Sequence, residues 1–179
     1  MQTAVAVLFA RADSHYKTMH GTDVFDIERD ARTFSGGKPV VAHPPCRGWG
    51  RLSHLAKVRP GELDLGLFAV DQVRRFGGVL EHPHASKLWA AAGLPAPGTR
   101  DHFGGWTLPL YQGHFGHRAP KATWLYIVGC EPSQLPDLPF DLVLPEGRVD
   151  RMSGPEREAT PPIFAAFLVE IARRAGGLQ

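Results

Sequence analysis

The stretch Pro39-Val40-Val41-Ala42-His43-Pro44-Pro45-Cys46 constrains this chain more than any other. Three small apolar residues make a strand, and two prolines then stop it. Each proline fixes φ and removes an N–H, so neither a helix nor a sheet ladder continues through them. The strand therefore ends in a stiff turn that presents Cys46 at its carboxyl end. In open α/β sheets ligands bind in the crevice outside those ends. A thiol placed there is a candidate nucleophile, and the competing interpretation is a small buried cysteine in a proline-stiffened loop.

The rest of the chain fits an α/β domain. Ala4–Ala10 is an uninterrupted apolar run, as expected of a strand covered on both faces. Thr22–Asp26 reads as a short strand ending in an acid, and Val40–Ala42 as the next. Apolar residues Leu63, Leu67, Val70 and Val73 recur at helical spacing between Gly61 and Gly77, which predicts a helix over Glu62–Phe76. Val79-Leu80-Glu81 is then a strand, 93–110 an irregular Gly/Pro-rich loop, and Trp124–Gly129 a strand of bulky and β-branched residues. A short edge strand is expected at Asp141–Leu144. Pro161-Pro162 opens a closing helix, Ile163–Ala175, with Phe164, Phe167, Leu168 and Ile171 on one core-facing side. Strands alternating with helices predict a three-layer, mostly parallel, Rossmann-like sheet in one domain over residues 1–179.

Composition narrows the function classes. A formal charge of +2 provides no large electrostatic footprint for nucleic acid, although a local basic patch is compatible with it. Two cysteines build neither a disulfide framework nor a four-thiolate zinc site, which suits a reducing cytoplasm. No run reaches the roughly 20 apolar residues that span a bilayer, so a membrane partner is not expected.

Asp26, Cys46 and Glu81 all end apolar strands. In a parallel sheet those ends share one rim, so the three should converge on one crevice. In this order they resemble the catalytic domain of DNA methyltransferases acting on carbon 5 of cytosine. Leu8-Phe9-Ala10 is similar to the start of that family's Phe-x-Gly turn, and Asp26-Ile27-Glu28-Arg29-Asp30-Ala31 to its acid after the second strand. Pro44-Pro45-Cys46 resembles its Pro-Cys nucleophile loop, and Val79-Leu80-Glu81-His82-Pro83 its Glu-Asn-Val strand end. Arg118–Trp124 resembles its Gln-x-Arg-x-Arg strand, and Arg157–Pro162 its last loop-to-helix motif.

The resemblance implies a methyltransferase-like fold and a pyrimidine-directed enzyme of phage or prophage type. Cys46 would add to ring carbon 6 and make carbon 5 nucleophilic. Glu81 would hydrogen-bond or protonate the ring at N3 and favour that addition, and Arg118 and Lys121 would give electrostatic support. Phe9, Asp13, Asp26 and Pro161 fall at cofactor positions. Pro45, Arg47, Trp49, Arg51 and His82 fall at substrate positions, with Arg47 expected to lower the Cys46 pKa; Trp49 either offers a ring for stacking or anchors the cysteine loop on the core. The implied partner is a pyrimidine nucleotide, or a single-stranded or flipped base in DNA. The implied cofactor is S-adenosylmethionine.

Departures from the pattern bear on both. Arg11-Ala12-Asp13-Ser14-His15 stands where the family has a glycine-rich turn, and its side chains would crowd S-adenosylmethionine. His82 and Arg47 replace an Asn and a Gln. Between Tyr126 and Pro161 there is no room for a target-recognition domain, which favours a partner or homodimer for any polymer substrate.

Two other readings use the same residues. A non-catalytic nucleotide- or nucleic-acid-binding protein would keep Cys46 as a structural residue. A metal-dependent hydrolase would draw on His43-x-x-Cys46, His82-x-His84 and His114-x-x-His117, but these pairs complete no zinc signature, so no metal ligand is assigned. A base-deaminase signature is not met either, since Pro45-Cys46 lacks the second cysteine.

Overall fold

The computed structural model describes residues 3–50, 53–139 and 145–176. Six strands form one mixed sheet: β1 Val5–Leu8, β2 Thr22–Phe25, β3 Val40–Ala42, β4 Gly78–Pro83, β5 Trp106–Tyr111 and β6 Ala122–Val128. Their spatial order is β2-β1-β3-β4-β6-β5. The β2, β1, β3 and β4 neighbours pair in parallel, whereas β6 runs antiparallel to both β4 and β5. Among the described residues four α-helices, with several short 3-10 turns, complete the fold: α1 Glu62–Phe76, α2 Lys87–Ala91, α3 Gly154–Glu158 and α4 Pro162–Ala175. The expected α/β architecture with a mostly parallel sheet is present, and β6 supplies its antiparallel part.

Helices cover both faces of the sheet, which explains the uninterrupted apolar strands. Val5, Val7, Val41, Val79, Leu125 and Ile127 pack with Phe164, Phe167, Leu168 and Ile171 of α4. Their neighbours Ala6, Leu8, Val40, Ala42, Leu80 and Tyr126 pack on the opposite face with Ala69, Val70 and Val73 of α1. Successive residues point to opposite faces, so a doubly covered strand must be apolar at every position.

The bounds of α1 match the sequence expectation, but its buried stripe differs. Leu63 and Leu67 remain 41% and 42% exposed, while Gly66, Ala69, Val70 and Val73 face the core. Small residues at that contact let Trp49 and Leu88 approach the helix closely; a Cβ on Gly66 would stand 2.7 Å from Trp49 Nε1. Strand β5 lies inside the region expected to be a loop. Proline is tolerated on the outer strand of a sheet, and Pro109 occupies such a position opposite Trp124. The expected strand at Asp141–Leu144 falls outside the described residues. Among the described residues no helix is long and apolar enough to cross a membrane.

Candidate functional site

Topology gathers chemistry-bearing residues along one rim of the sheet. The carboxyl ends of β1 to β4 lie there together. Because β6 is reversed, its start at Ala122 and the end of β5 at Tyr111 arrive at the same rim. Chain segments after Leu8, Phe25, Ala42, Pro83 and Tyr111, and the one before Ala122, therefore meet around a common opening. Among the described residues three non-glycine residues adopt left-handed φ, and all three sit at this rim. Phe9 (φ 63°) follows β1, Ala85 (φ 55°) follows β4, and Lys121 (φ 42°) precedes β6. Side chains in that region are strained, and such strain concentrates at functional sites.

A chain of hydrogen bonds crosses the rim. Tyr16 Oη lies 2.9 Å from His43 Nε2, and His43 Nδ1 lies 3.0 Å from Glu81 Oε2. The other Glu81 oxygen accepts from Gln112 Nε2 at 2.9 Å, and Gln112 also donates to Thr123 Oγ1 at 3.0 Å. With a neutral imidazole the polarity is determined: the Tyr16 hydroxyl donates to Nε2, and Nδ1–H donates to the carboxylate. Glu81 is the acceptor at which both branches end. Burial alone would raise its pKa; the His43 hydrogen bond and the charge of Lys121 outweigh burial and hold the carboxyl down at about 2. It is an anion at every physiological pH.

Cys46 and Lys121 stand within electrostatic reach of this carboxylate, and Cys46 is solvent-exposed at the turn. Its thiol is pushed up from the ordinary value, first by desolvation among the surrounding rim atoms and then by the Glu81 charge, with Lys121 opposing. Arg47 does not stand free to activate the thiol as expected. Arg47 Nε pairs with Glu62 Oε1 of α1 at 2.8 Å, so its charge is already matched. A matched guanidinium has little field left to stabilise a thiolate.

The other sequence candidates divide. Cys46, Glu81 and Lys121 are brought together. Arg118 is not one of them: it extends into solvent and pairs with Glu156 Oε1 at 2.5 Å. Trp49 is buried between α1 and the start of α2, and its carbonyl accepts from Lys87 N–H at 2.9 Å. It anchors the cysteine turn and presents no face for stacking. His82 is 1% exposed, with neither ring nitrogen hydrogen-bonded, on the sheet face opposite Glu81. Pro45 is half-buried beside Cys46, and Arg51 lies outside the described residues.

At the expected cofactor position, Phe9 packs edge-on against Phe68 and Asp13 is held by Arg11 at 2.9 Å. Arg11 also reaches Glu158 Oε2 at 3.2 Å. Asp26 Oδ2 is 2.5 Å from Lys17 Nζ, and Oδ1 accepts the N–H groups of Glu28 and Arg29. The Lys17 pair and those N–H bonds hold its carboxyl at about 2. Pro161 caps α4, its carbonyl accepting from Ala165 N–H. Phe9, Asp13 and Asp26 are thus each engaged by another side chain of the protein, and no glycine follows β1 before Tyr16 to form a cradle. They do not fit S-adenosylmethionine in the way the resemblance implies.

Sequence reasoning missed Gln112 as a member of the site, reached Tyr16 only as part of the polar Asp13–Lys17 segment after the first strand, placed either to touch a ligand or to form a solvated turn, and took His43 only as one half of a metal pair. The available signal was the position of His43: like Asp26 and Glu81, it is the first polar residue after an apolar strand. Among the described residues no group of three or more His, Cys, Asp and Glu side chains could hold a metal ion. His43 uses both ring nitrogens in the relay, and His117 Nδ1 accepts from Ala119 N–H. Compared with known proteins, the chain matches no family model, no curated protein and no solved structure.

Proposed function

We propose that this protein is a pyrimidine-directed enzyme in which Cys46 adds covalently to ring carbon 6, on a Rossmann-like, methyltransferase-like scaffold. The observation that carries it is the meeting of an exposed thiol, a buried permanent carboxylate and a lysine at one strand rim. A ring that presents its N3 side to Glu81 would lie with its C5=C6 edge available to Cys46, and Lys121 would balance charge on a ring carbonyl.

The step balances without a further reactant. The Cys46 thiol releases its proton to water, and sulphur bonds to C6. The C5=C6 electron pair shifts to make a C4=C5 enolate with the negative charge on O4. C5 then takes a proton from solvent and the carbonyl re-forms. Reversal removes a proton from C5 and expels the thiolate, leaving a solvent hydrogen on C5. No step is routed through S-adenosylmethionine.

The test is exchange of the C5 hydrogen in D2O, followed by proton NMR on pyrimidine mononucleotides and on single-stranded oligonucleotides. Exchange with the native protein and none with Cys46→Ala is expected. Exchange that survives Cys46→Ala, or is absent with every substrate, overturns the proposal. The raised thiol and the neutralised Arg47 favour a second reading, a non-catalytic pyrimidine-binding protein on the same rim. It predicts ligand binding without exchange.

A further inference from the structure

Resting on the pyrimidine reading above, we propose that Glu81 selects rings carrying an N3–H, so that the substrate is a uracil-type base rather than cytosine. Both Glu81 oxygens already accept a hydrogen bond, one from His43 Nδ1 and one from Gln112 Nε2. A carboxylate has about four lone-pair positions, so further acceptor capacity remains, but no donor. The side chain is 12% exposed, enough for one ring atom to reach it. Any group approaching it must bring its own proton.

Uracil and cytosine differ at that atom. Uracil N3 carries a hydrogen and donates to a carboxylate. Cytosine N3 carries a lone pair and meets the anion in repulsion. The chemistry of thiol addition runs in the same direction. Addition to C6 of uracil sends the electron pair to O4, with N3 already protonated. Addition to C6 of cytosine sends the pair to the imine nitrogen N3, which must gain a proton. Glu81 is the group beside N3, and a carboxyl that titrates at about 2 has no proton to give at neutral pH. The Tyr16 and Gln112 ends of the relay donate toward His43 and Glu81, so they supply none to the ring either.

A site built to pair with a ring N–H rejects an analogue lacking it, because its own polar group is left unpaired. The measurement is calorimetric titration of the native protein with dUMP, dCMP and N3-methyl-dUMP at neutral pH. About a tenfold or larger preference for dUMP over both others is expected. Equal affinity for dUMP and its N3-methyl form, or tighter binding of dCMP, overturns this inference and leaves the pyrimidine reading standing. Binding of none of the three, together with no C5 exchange, overturns both. Glu81→Gln provides an independent arm. Its amide turns an N–H toward an unprotonated N3, so the dUMP to dCMP affinity ratio should fall by about tenfold. An unchanged ratio in a folded variant, verified by circular dichroism, counts against the inference.

Discussion

His43 Nδ1 and Glu81 Oε2 stand 3.0 Å apart across neighbouring parallel strands, thirty-eight residues distant in sequence. Each side chain is only 12% exposed, so the pair operates behind the rim rather than in open water. A buried carboxylate is tolerable only with donors on it. His43→Ala removes one of the two and should lower unfolding free energy by about 2–3 kcal/mol in urea titrations. A loss below about 0.5 kcal/mol would mean that water replaces the imidazole freely.

The same carboxyl makes a prediction about acid. Its folded pKa of about 2 lies below the ordinary 4.5. A depressed carboxyl contributes stability that is fully present above the unfolded value and is lost as pH falls toward 2. Denaturant midpoints should therefore decline between about pH 4.5 and 2, by an amount equivalent to roughly 3 kcal/mol from this group. Glu81→Gln should flatten that part of the profile.

His82 titrates in a separate window. Burial holds its imidazole neutral down to about 4, against an ordinary 6.5. Below pH 6.5 the unfolded chain binds a proton that the folded chain refuses, so stability falls as pH drops from about 6.5 to about 4. His82→Asn should remove this slope while leaving the lower window untouched. A profile unchanged by His82→Asn would show that the ring ionises in place.

Cys46 should react slowly at neutral pH. Its thiol lies above the ordinary 9.0, so iodoacetamide modification should climb about tenfold per pH unit and continue past pH 9. Fast labelling at pH 7 would contradict the assigned electrostatics. Because the residue is exposed, Cys46→Ala should change stability by less than about 0.5 kcal/mol.

Gly66 links a helix to the cysteine turn. An alanine there gains helix propensity worth about 1 kcal/mol. Its Cβ would also stand 2.7 Å from Trp49 Nε1 and 3.2 Å from Leu88 Cδ1. Overpacking of that kind costs about 1–3 kcal/mol, so Gly66→Ala should lower Tm and weaken dUMP binding together. A raised Tm would show that Trp49 is not the anchor of the turn.

How far the sequence foretold this arrangement can be read from particular elements. Helix α1 was legible because Gly61 and Gly77 bracket it, and β1 because a doubly covered strand shows no alternation. Strand β5 was not legible, since Pro109 and the preceding glycines imitate a loop, and only an outer position in the sheet makes them tolerable. Cys46 and Glu81 were visible as strand ends. Gln112 was not, and Tyr16 only as part of a polar segment after the first strand, because each joins the relay through a partner supplied by a distant segment. Trp49 stayed open between stacking and anchoring for a related reason: an aromatic ring beside a reactive residue looks the same whether it faces solvent or core, and the structure selects the core.

The left-handed backbone at Lys121 has a consequence for anyone who improves this protein by heat selection. Glycine at φ 42° would relieve about 1 kcal/mol of steric penalty, and it would also delete the positive charge that faces Glu81 and Cys46. Phe9 and Ala85 present similar opportunities on the same rim. A library ranked by thermal survival alone will therefore drift toward sturdier molecules with a blunted rim, and a screen meant to retain chemistry must score both traits at once.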